Sequence, residues 1–515
     1  MRRLLAVISL ALGAAPLAAQ TAPSSYEELQ RFSAVLNHIR TNHADSVTYN
    51  GLVRAAIDGM LRSLDPHSYF VSKEDYDRLS QLERGELATT GIRVELVDGQ
   101  PTVLNITRGS PAEKAGVQPS DRILRLDDAP VAGLTAKAVT LKLAGEKGSR
   151  VRISLERGSR LDPDSLTLTL RRAFPRPGSS VELARMAGST VGYVRLGEFG
   201  ENAAKDVREA VRRLRRQGAS HLILDLRGNP GGSVIEAVDL AAEFLPANAL
   251  VFTTKGRRKA VNEEFRTKTA GDFRDLPLVV LIDEGSASAA EALAGTLQDH
   301  DRALIMGRRS FGKALMQTPF FVPSGVVMLT VGHIVSPSGR FIQRRYEGLA
   351  VEQYYAFAGD SAWQDTTREY RTTGGRIVRG GGGIAPDVAL PGPPSMPRWW
   401  SVAADSGYDD AVADSVAHTL AADAVARGAW MTDAPRWQAS LLEPFLGRVR
   451  ARLGVAATPD PALAGAMARH LAARTAYVRW PDDEAGAELW VRHDPDIIAA
   501  VQYLPRVAAL LQPRP

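Results

Sequence analysis

Ser288, Lys313 and Gln317 are the residues of this sequence best suited to chemistry, and all three fall in one stretch from Asp283 to Gln317. Ser288 and Lys313 are 25 positions apart (313 − 288). A serine hydroxyl becomes a nucleophile when a neighbouring base takes its proton. A desolvated, neutral lysine amine can serve as that base in place of histidine. The spacing of Ser288 and Glu291 also fits a Ser-x-x-Glu capping box, so helix capping and catalysis are both open readings of Ser288 at this level. His300, in Gln298-Asp299-His300-Asp301, offers a rival base, but stabilisation of a helix end explains a histidine there equally well.

These side chains need elements to bring them together. The apolar run Leu278–Ile282 reads as a buried strand ending at Asp283-Glu284-Gly285. Ser286-Ala287-Ser288-Ala289-Ala290-Glu291 then opens a helix through Leu293 and Leu297. Ser288 is thereby expected at a strand-to-helix turn, where free backbone N–H groups and the helix dipole favour an anion. A second strand, Ala303 to Met306, leads into Phe311-Gly312-Lys313, and the intervening length lets the two strand ends converge. Upstream, Gly228-Asn229-Pro230-Gly231-Gly232 follows another apolar run and precedes a helix. It lacks the Gly-Lys-Ser/Thr and dinucleotide spacings, which argues against ATP and NAD. Glycine there allows the backbone to turn an N–H toward a ligand.

The stretch resembles the C-terminal processing, or tail-specific, proteases, a family of serine peptidases. The resemblance rests on Ser286-Ala287-Ser288, Gln298-Asp299, Phe311-Gly312-Lys313 and Gln317. It implies Ser288 as nucleophile, Lys313 as general base and Gln317 as the residue that holds the lysine. Ala314 departs from the usual glycine, without removing a reacting group. Further matches follow in order: Asp58–Leu79 with Leu64-Asp65-Pro66-His67-Ser68, Gly109–Asp128, Leu222–Gly232, Ser336–Arg340 and Gly382–Val388. Together they cover roughly residues 30–390. The glycine loop would supply half of an oxyanion hole through Gly232, and the Ala289 N–H the other half. The implied fold is a multidomain α/β architecture with a crotonase/ClpP-like layered peptidase core, an inserted β-rich PDZ domain, N-terminal helices and an α-helical C-terminal domain. The implied activity is that of a serine endopeptidase acting on protein or peptide substrates with accessible C-termini, with no cofactor and no metal. The alternative is a catalytically inactive PDZ scaffold that binds unfolded tails.

The domain organisation is read as a signal peptide over 1–19, N-terminal helices over 22–86, PDZ over 87–172, peptidase core over 173–390 and a helical extension over 391–515. The basic Met1-Arg2-Arg3, the short apolar Leu4–Leu17 and the small residues before Gln20 predict export, with cleavage near Ala19, to the periplasm or outside. No later segment is apolar over the roughly 18 residues a membrane span needs, so a soluble exported protein is expected. The 515 residues contain no cysteine, which excludes disulfides and thiol chemistry. The net charge is +5, and Arg212-Arg213 and Arg215-Arg216 read as the solvated face of an amphipathic helix. Nucleic-acid binding is not expected, and attraction to a membrane surface lacks an anchor.

Within 87–172 short apolar alternations bounded by Gly, Asp and Pro predict strands at 92–96, 102–106, 122–126, 151–155 and 166–170, with helices at 112–115 and 136–143. A PDZ domain captures a peptide by strand addition and holds its C-terminal carboxylate in a loop of N–H groups, for which Thr90-Gly91-Ile92 is the candidate. Here Arg93 stands where the family more often has glycine, and reads as solvent-facing. His67, with no second histidine nearby, reads as structural. Residues 345–376 form an aromatic-rich insertion that reads either as a substrate-contacting loop or as variable decoration. Beyond Pro391-Gly392-Pro393-Pro394, helices are predicted at 408–426, 437–453, 461–474 and 497–511, packing either on the core or against another copy of the chain.

Overall fold

The computed structural model describes residues 24–510, apart from 84–85, 98–99, 107–109, 118–120, 160–161, 174–179, 324, 350–353, 355–364, 393, 395, 398, 401–402, 404–407 and 481–484. The expected signal peptide lies outside the described residues. The chain divides into two compact units, 1–63 and 64–515. The first unit holds two helices, α1 (Ser25–Asn42) and α2 (Tyr49–Arg62). Ser24 and Glu27 close a reciprocal capping box on α1, and the Thr48 hydroxyl caps α2. Their apolar residues sit at helical spacing, yet Tyr26, Leu29 and Val35 are more than half exposed.

The second unit begins with strand β1 (Tyr69–Val71) and helix α3 (Lys73–Glu83). A six-stranded sheet follows, made of β2 (Ile92–Val97), β3 (Gln100–Ile106), β4 (Arg122–Leu126), β5 (Ala129–Pro130), β6 (Arg150–Ser159) and β7 (Asp162–Arg171). Helices α4 (Pro111–Lys114) and α5 (Ala136–Leu143) interrupt it where the apolar alternation gives way to helical spacing. Ile92, Val103, Ile123, Ile153 and Leu155 fill its core against Val139 and Leu143 of α5. Arg78 of α3 donates to the Leu141 carbonyl at 2.8 Å, fastening α5 to the segment that precedes it.

The central sheet runs β19-β14-β13-β10-β9-β8. Its strands are β8 (Val181–Met186), β9 (Val191–Leu196), β10 (His221–Asp225), β13 (Leu278–Ile282), β14 (Leu304–Gly307) and β19 (Val388–Ala389), all parallel apart from the β8–β9 pair. Being covered on both faces, its middle strands β13 and β14 are continuous apolar runs. Val194, Leu222, Leu224, Val280 and Ile282 point to one layer, formed by α6 (Ala203–Arg216), α7 (Val234–Ala242) and α8 (Ala289–Asp299). Tyr193, Ile223, Val279 and Leu281, the alternate residues, point to the other. On α6, Val207, Ala210, Val211 and Leu214 are buried while the arginines face outward. A second, antiparallel sheet contains β1, β11 (Leu250–Lys255), β12 (Glu263–Arg266), β15 (Leu315–Val322) and β16 (Gly325–Val335). A β17 (Asp365–Arg371)–β18 (Ile377–Gly380) hairpin follows.

The extension forms α9 (Tyr408–Ala417), α10 (Ala424–Trp430), α11 (Ala434–Trp437), α12 (Glu443–Leu453), α13 (Pro461–Arg479), α14 (Ala485–His493) and α15 (Pro495–Leu510). The first helix predicted in this region is two helices: the chain breaks after Ala417, and the Asp423 carboxylate caps a new start at Ala426 N–H. Trp400, Trp430, Trp437, Phe445 and Leu471 anchor a core of their own. Helix α15 does otherwise. Its Ile497, Ala500, Leu504 and Val507 cover the second face of the central sheet, so this helix of the extension packs on the core. Burying such side chains contributes about 1.5–3 kcal/mol each. No helix among the described residues is long and apolar enough to cross a membrane.

Candidate active site

Ser288 stands where β13 turns into α8, with φ +57°, ψ −115°. A left-handed backbone at a residue other than glycine is costly and persists only where its surroundings enforce it. Here the enforcement is visible. The Ser288 N–H donates to Glu291 Oε2 at 2.9 Å, the Ala287 N–H donates to the Asn229 carbonyl at 2.9 Å, and Ser286 Oγ donates to the Leu226 carbonyl at 2.7 Å. The turn is thus stitched to the 226–232 loop as well as to its own helix.

Gly231 makes that approach possible. A Cβ added to it would lie 2.8 Å from Ser288 Cβ and 2.9 Å from the Ala289 nitrogen, and its φ is +98°. Gly231 N–H is taken by Asn229 Oδ1 at 2.8 Å. The N–H groups of Gly232 and Ala289 donate to no acceptor among the described residues, Ala289 because it is the first residue of α8.

Lys313 lies on the neighbouring loop between β14 and β15. Burial lowers its pKa from the ordinary lysine value, while Glu291 and Asp65 pull in the opposite direction. Its Nζ makes no hydrogen bond or ion pair among the described residues, and none joins it to Ser288 Oγ. The two loops are joined through Glu291. This carboxylate, fully buried, accepts Ser310 Oγ at 2.5 Å, Gly312 N at 2.6 Å, Lys313 N at 2.8 Å and Ser288 N at 2.9 Å. Burial lifts its pKa to about 7 against the pull of those four donors. Glu291, read from sequence as one half of a cap, is therefore the hub between the Ser288 turn and the Lys313 loop. The local spacing accounts for only one of its four bonds.

Gln317 Nε2 donates to Thr330 Oγ1 at 3.1 Å, and Thr330 Oγ1 donates to Asp65 Oδ1 at 3.0 Å. Ser68 Oγ donates to Asp65 Oδ2 at 2.6 Å and accepts the Thr330 N–H. The Asp65–Ser68 motif, assigned by sequence to the helical region, is placed at the Lys313 loop. His67 is buried, its pKa driven down to about 2 by burial and then by Lys313, Lys137 and Arg344. Its Nε2 is 3.0 Å from Tyr354 OH, which also accepts from Gln343 Nε2. Tyr354 brings the 345–376 insertion edge-on against Phe311; Tyr355 and Trp363 of that insertion lie outside the described residues. Ala314, with its N–H on Gln343 Oε1 at 2.8 Å, has an ordinary φ, so its methyl is accommodated. His300 is a helix C-cap whose Nε2 is 2.7 Å from the Leu250 carbonyl.

The remaining motifs brace this site from behind. Arg340 pairs with Asp299 at 2.8 Å and donates to Gln298 Oε1 at 2.7 Å, while Gln298 Nε2 donates to Asp387 Oδ1 at 2.9 Å. In the PDZ region Thr90 is buried, Gly91 has φ +82°, and Ile92 opens β2 beside α5. Arg93 is exposed.

Residues 190–352 match peptidase family S41 and residues 88–169 match the PDZ domain. The carboxyl-terminal-processing protease of Synechocystis sp. is 35% identical over 293 residues, covering 56% of this chain and 68% of the relative. The carboxy-terminal-processing protease of Bartonella bacilliformis is 32% identical over 343 residues, covering 65% and 77%. This chain belongs to the carboxyl-terminal-processing proteases of peptidase family S41. Among solved structures, the photosystem II D1 C-terminal processing protease is similar over 71% of this chain and 87% of its own, with 26% identity and a TM-score of 0.47. As an S41 member the chain is a serine-type peptidase with a PDZ domain, and peptides are its substrate class.

Proposed function

We propose that the protein is an exported endopeptidase that recognises polypeptide C-termini through residues 87–172 and cleaves them in the core of residues 173–390, with Ser288 as nucleophile. Lys313 would take the Ser288 hydroxyl proton and return it to the leaving amine, passing through an acyl-enzyme. Gly232 and Ala289 N–H would receive the carbonyl oxyanion. Gln317, fixed by Thr330 and Asp65, would orient the amine. Thr90-Gly91-Ile92 would hold the substrate carboxylate while its chain adds to β2. The basic and apolar start of the sequence, with cleavage near Ala19, supports export.

The observation that carries this reading is Lys313, an amine without a carboxylate partner, whose pKa burial lowers, on a loop that Glu291 ties to the Ser288 turn. A lysine kept for structure is normally solvated or paired. Digestion of an unfolded protein by the wild type and by Ser288→Ala tests it. Loss of cleavage in a folded variant is expected; cleavage within tenfold of wild type would exclude Ser288 as nucleophile, and no cleavage by the wild type itself would favour the inactive scaffold.

A further inference from the structure

Helix α15 lies outside both family matches, yet its first turn is seated at the strand ends that carry the proposed reactive groups. Asp494 Oδ1 accepts the Asp496 and Ile497 N–H groups at 2.8 and 3.1 Å, so it caps α15. Both its oxygens also accept from Arg227 Nη1 at 3.1 Å. Asp496 holds two arginines on a single oxygen: Oδ2 is 2.8 Å from Arg227 Nη1 and 3.2 Å from Arg308 Nη1. Arg227 follows β10 and Arg308 follows β14, and those strands flank β13, the strand that ends in the Ser288 turn. One carboxylate therefore bridges the strand ends on either side of the nucleophile.

Each arginine leads on to a reactive loop. Arg227 grips Asp225 through Nε and Nη2 at 3.0 and 2.7 Å, and its backbone N–H also donates to Asp225 Oδ1, fixing the start of the glycine loop. Arg308 lies 3.5 Å from Asp283 and 3.0 Å from Glu284. Asp283 Oδ1 in turn accepts the N–H of Gly228 at 2.7 Å and of Gly285 at 3.0 Å, clamping the two loops together. Arg227, Asp494 and Asp496 are all buried. Removing one member of such a cluster leaves an uncompensated charge in a low-dielectric setting, so the surroundings must shift.

We infer that Asp496, seconded by Asp494, is a positioning residue of the peptidase reaction: through Arg227 and Arg308 it holds the oxyanion loop and the Ser288 turn in register while touching neither Ser288 nor substrate. The inference rests on the Ser288 reading above. Displacement of reacting groups by an ångström can cost about a hundredfold in rate.

The test uses the full chain and an internally quenched peptide, comparing wild type, Ser288→Ala, Asp496→Asn, Asp496→Glu and Arg308→Gln in kcat, KM and melting temperature. Asp496→Asn is expected to lower kcat about 10- to 100-fold with KM within about twofold. Asp496→Glu should recover part of that loss. Combining Asp496→Asn with Arg308→Gln should cost little more than Asp496→Asn alone, because the two act through one contact. A purely structural role would lower the melting temperature and leave the kcat of the folded protein unchanged. An Asp496→Asn kcat within twofold of wild type, with Ser288→Ala inactive, overturns the inference. Should Asp496→Asn not fold, Arg308→Gln decides: it leaves the Arg227–Asp496 pair in place, a fall in kcat supports the inference and an unchanged kcat overturns it. Activity surviving in Ser288→Ala would overturn the nucleophile assignment itself, and the inference with it.

Discussion

Glu291 accepts the backbone N–H of Lys313 at 2.8 Å and, by its charge, opposes the burial that lowers the pKa of the Lys313 amine. One buried carboxylate thus sets both where the lysine loop lies and how readily its amine gives up a proton. The same oxygen takes the Ser288 N–H, so any shift of Glu291 is felt on both sides of the proposed dyad.

Ser288→Ala and Lys313→Ala are each expected to abolish peptide hydrolysis, with the double variant no worse than either, since groups acting as a unit do not add. Lys313→Arg should be as inactive as Lys313→Ala, because a guanidinium keeps its proton. Steady-state rates on a quenched peptide, beside melting curves that establish folding, decide this; an active Lys313→Arg would make Lys313 a fixed charge only.

Activity should rise with pH and then level off, because the base works only after its ammonium has lost a proton. Burial disfavours the ammonium, so the ascending limb should fall below the ordinary lysine pKa. Glu291→Gln removes the charge that favours the ammonium and should move that limb to lower pH. It should also lower the plateau by about one to two orders of magnitude, since an amide cannot accept at both ends the four bonds that Glu291 accepts. A pH–rate profile whose limb stays in place in Glu291→Gln would exclude the electrostatic part of this role.

Gly231→Ala is expected to inactivate the protein more than it unfolds it. Its methyl would lie 2.8 Å from Ser288 Cβ at φ +98°, so the nucleophile turn must retreat. A left-handed conformation costs an alanine about 1–2 kcal/mol, a small part of a domain's stability. The comparison to make is kcat against melting temperature, and a variant with normal kcat would show that the two loops can part without consequence.

The PDZ region, titrated within the intact Ser288→Ala protein, should bind a peptide with a free C-terminus more tightly than its amidated twin if Thr90-Gly91-Ile92 is the carboxylate-holding loop proposed above. Equal affinities would leave a groove that reads side chains alone. His300→Ala should leave kcat within about threefold of wild type and lower stability by about 1–2 kcal/mol through the lost bond to the Leu250 carbonyl.

Much of this was legible in the sequence wherever the physics is local. Helix α6 and the strands of the PDZ region follow directly from apolar periodicity, and the Ser288 turn from an apolar run that ends in small residues. What escaped depends on partners far along the chain. Asp65 meets Thr330 across 265 positions and Arg227 meets Asp494 across 267, separations that no periodicity encodes. The insertion was ambiguous for the same reason, since its Tyr354 is explained only by His67 and Gln343. The predicted helix at 408–426 failed differently. Its Ala-rich spacing continues through the break, and only the Asp423 cap marks the second start.

Helix α15 is made after every strand it covers; 106 positions separate β19 from its first residue (495 − 389). Until those residues leave the ribosome, or the translocation channel of an exported chain, one face of the central sheet has no lid, and Arg227 and Arg308 at its edge lack the carboxylates of Asp494 and Asp496. The core would therefore remain incomplete during synthesis, and the late docking of one helix would complete it. Such long-range closure is slow and leaves apolar strands exposed meanwhile, so holding chaperones should matter more to the yield of this protein than to a domain built from local contacts.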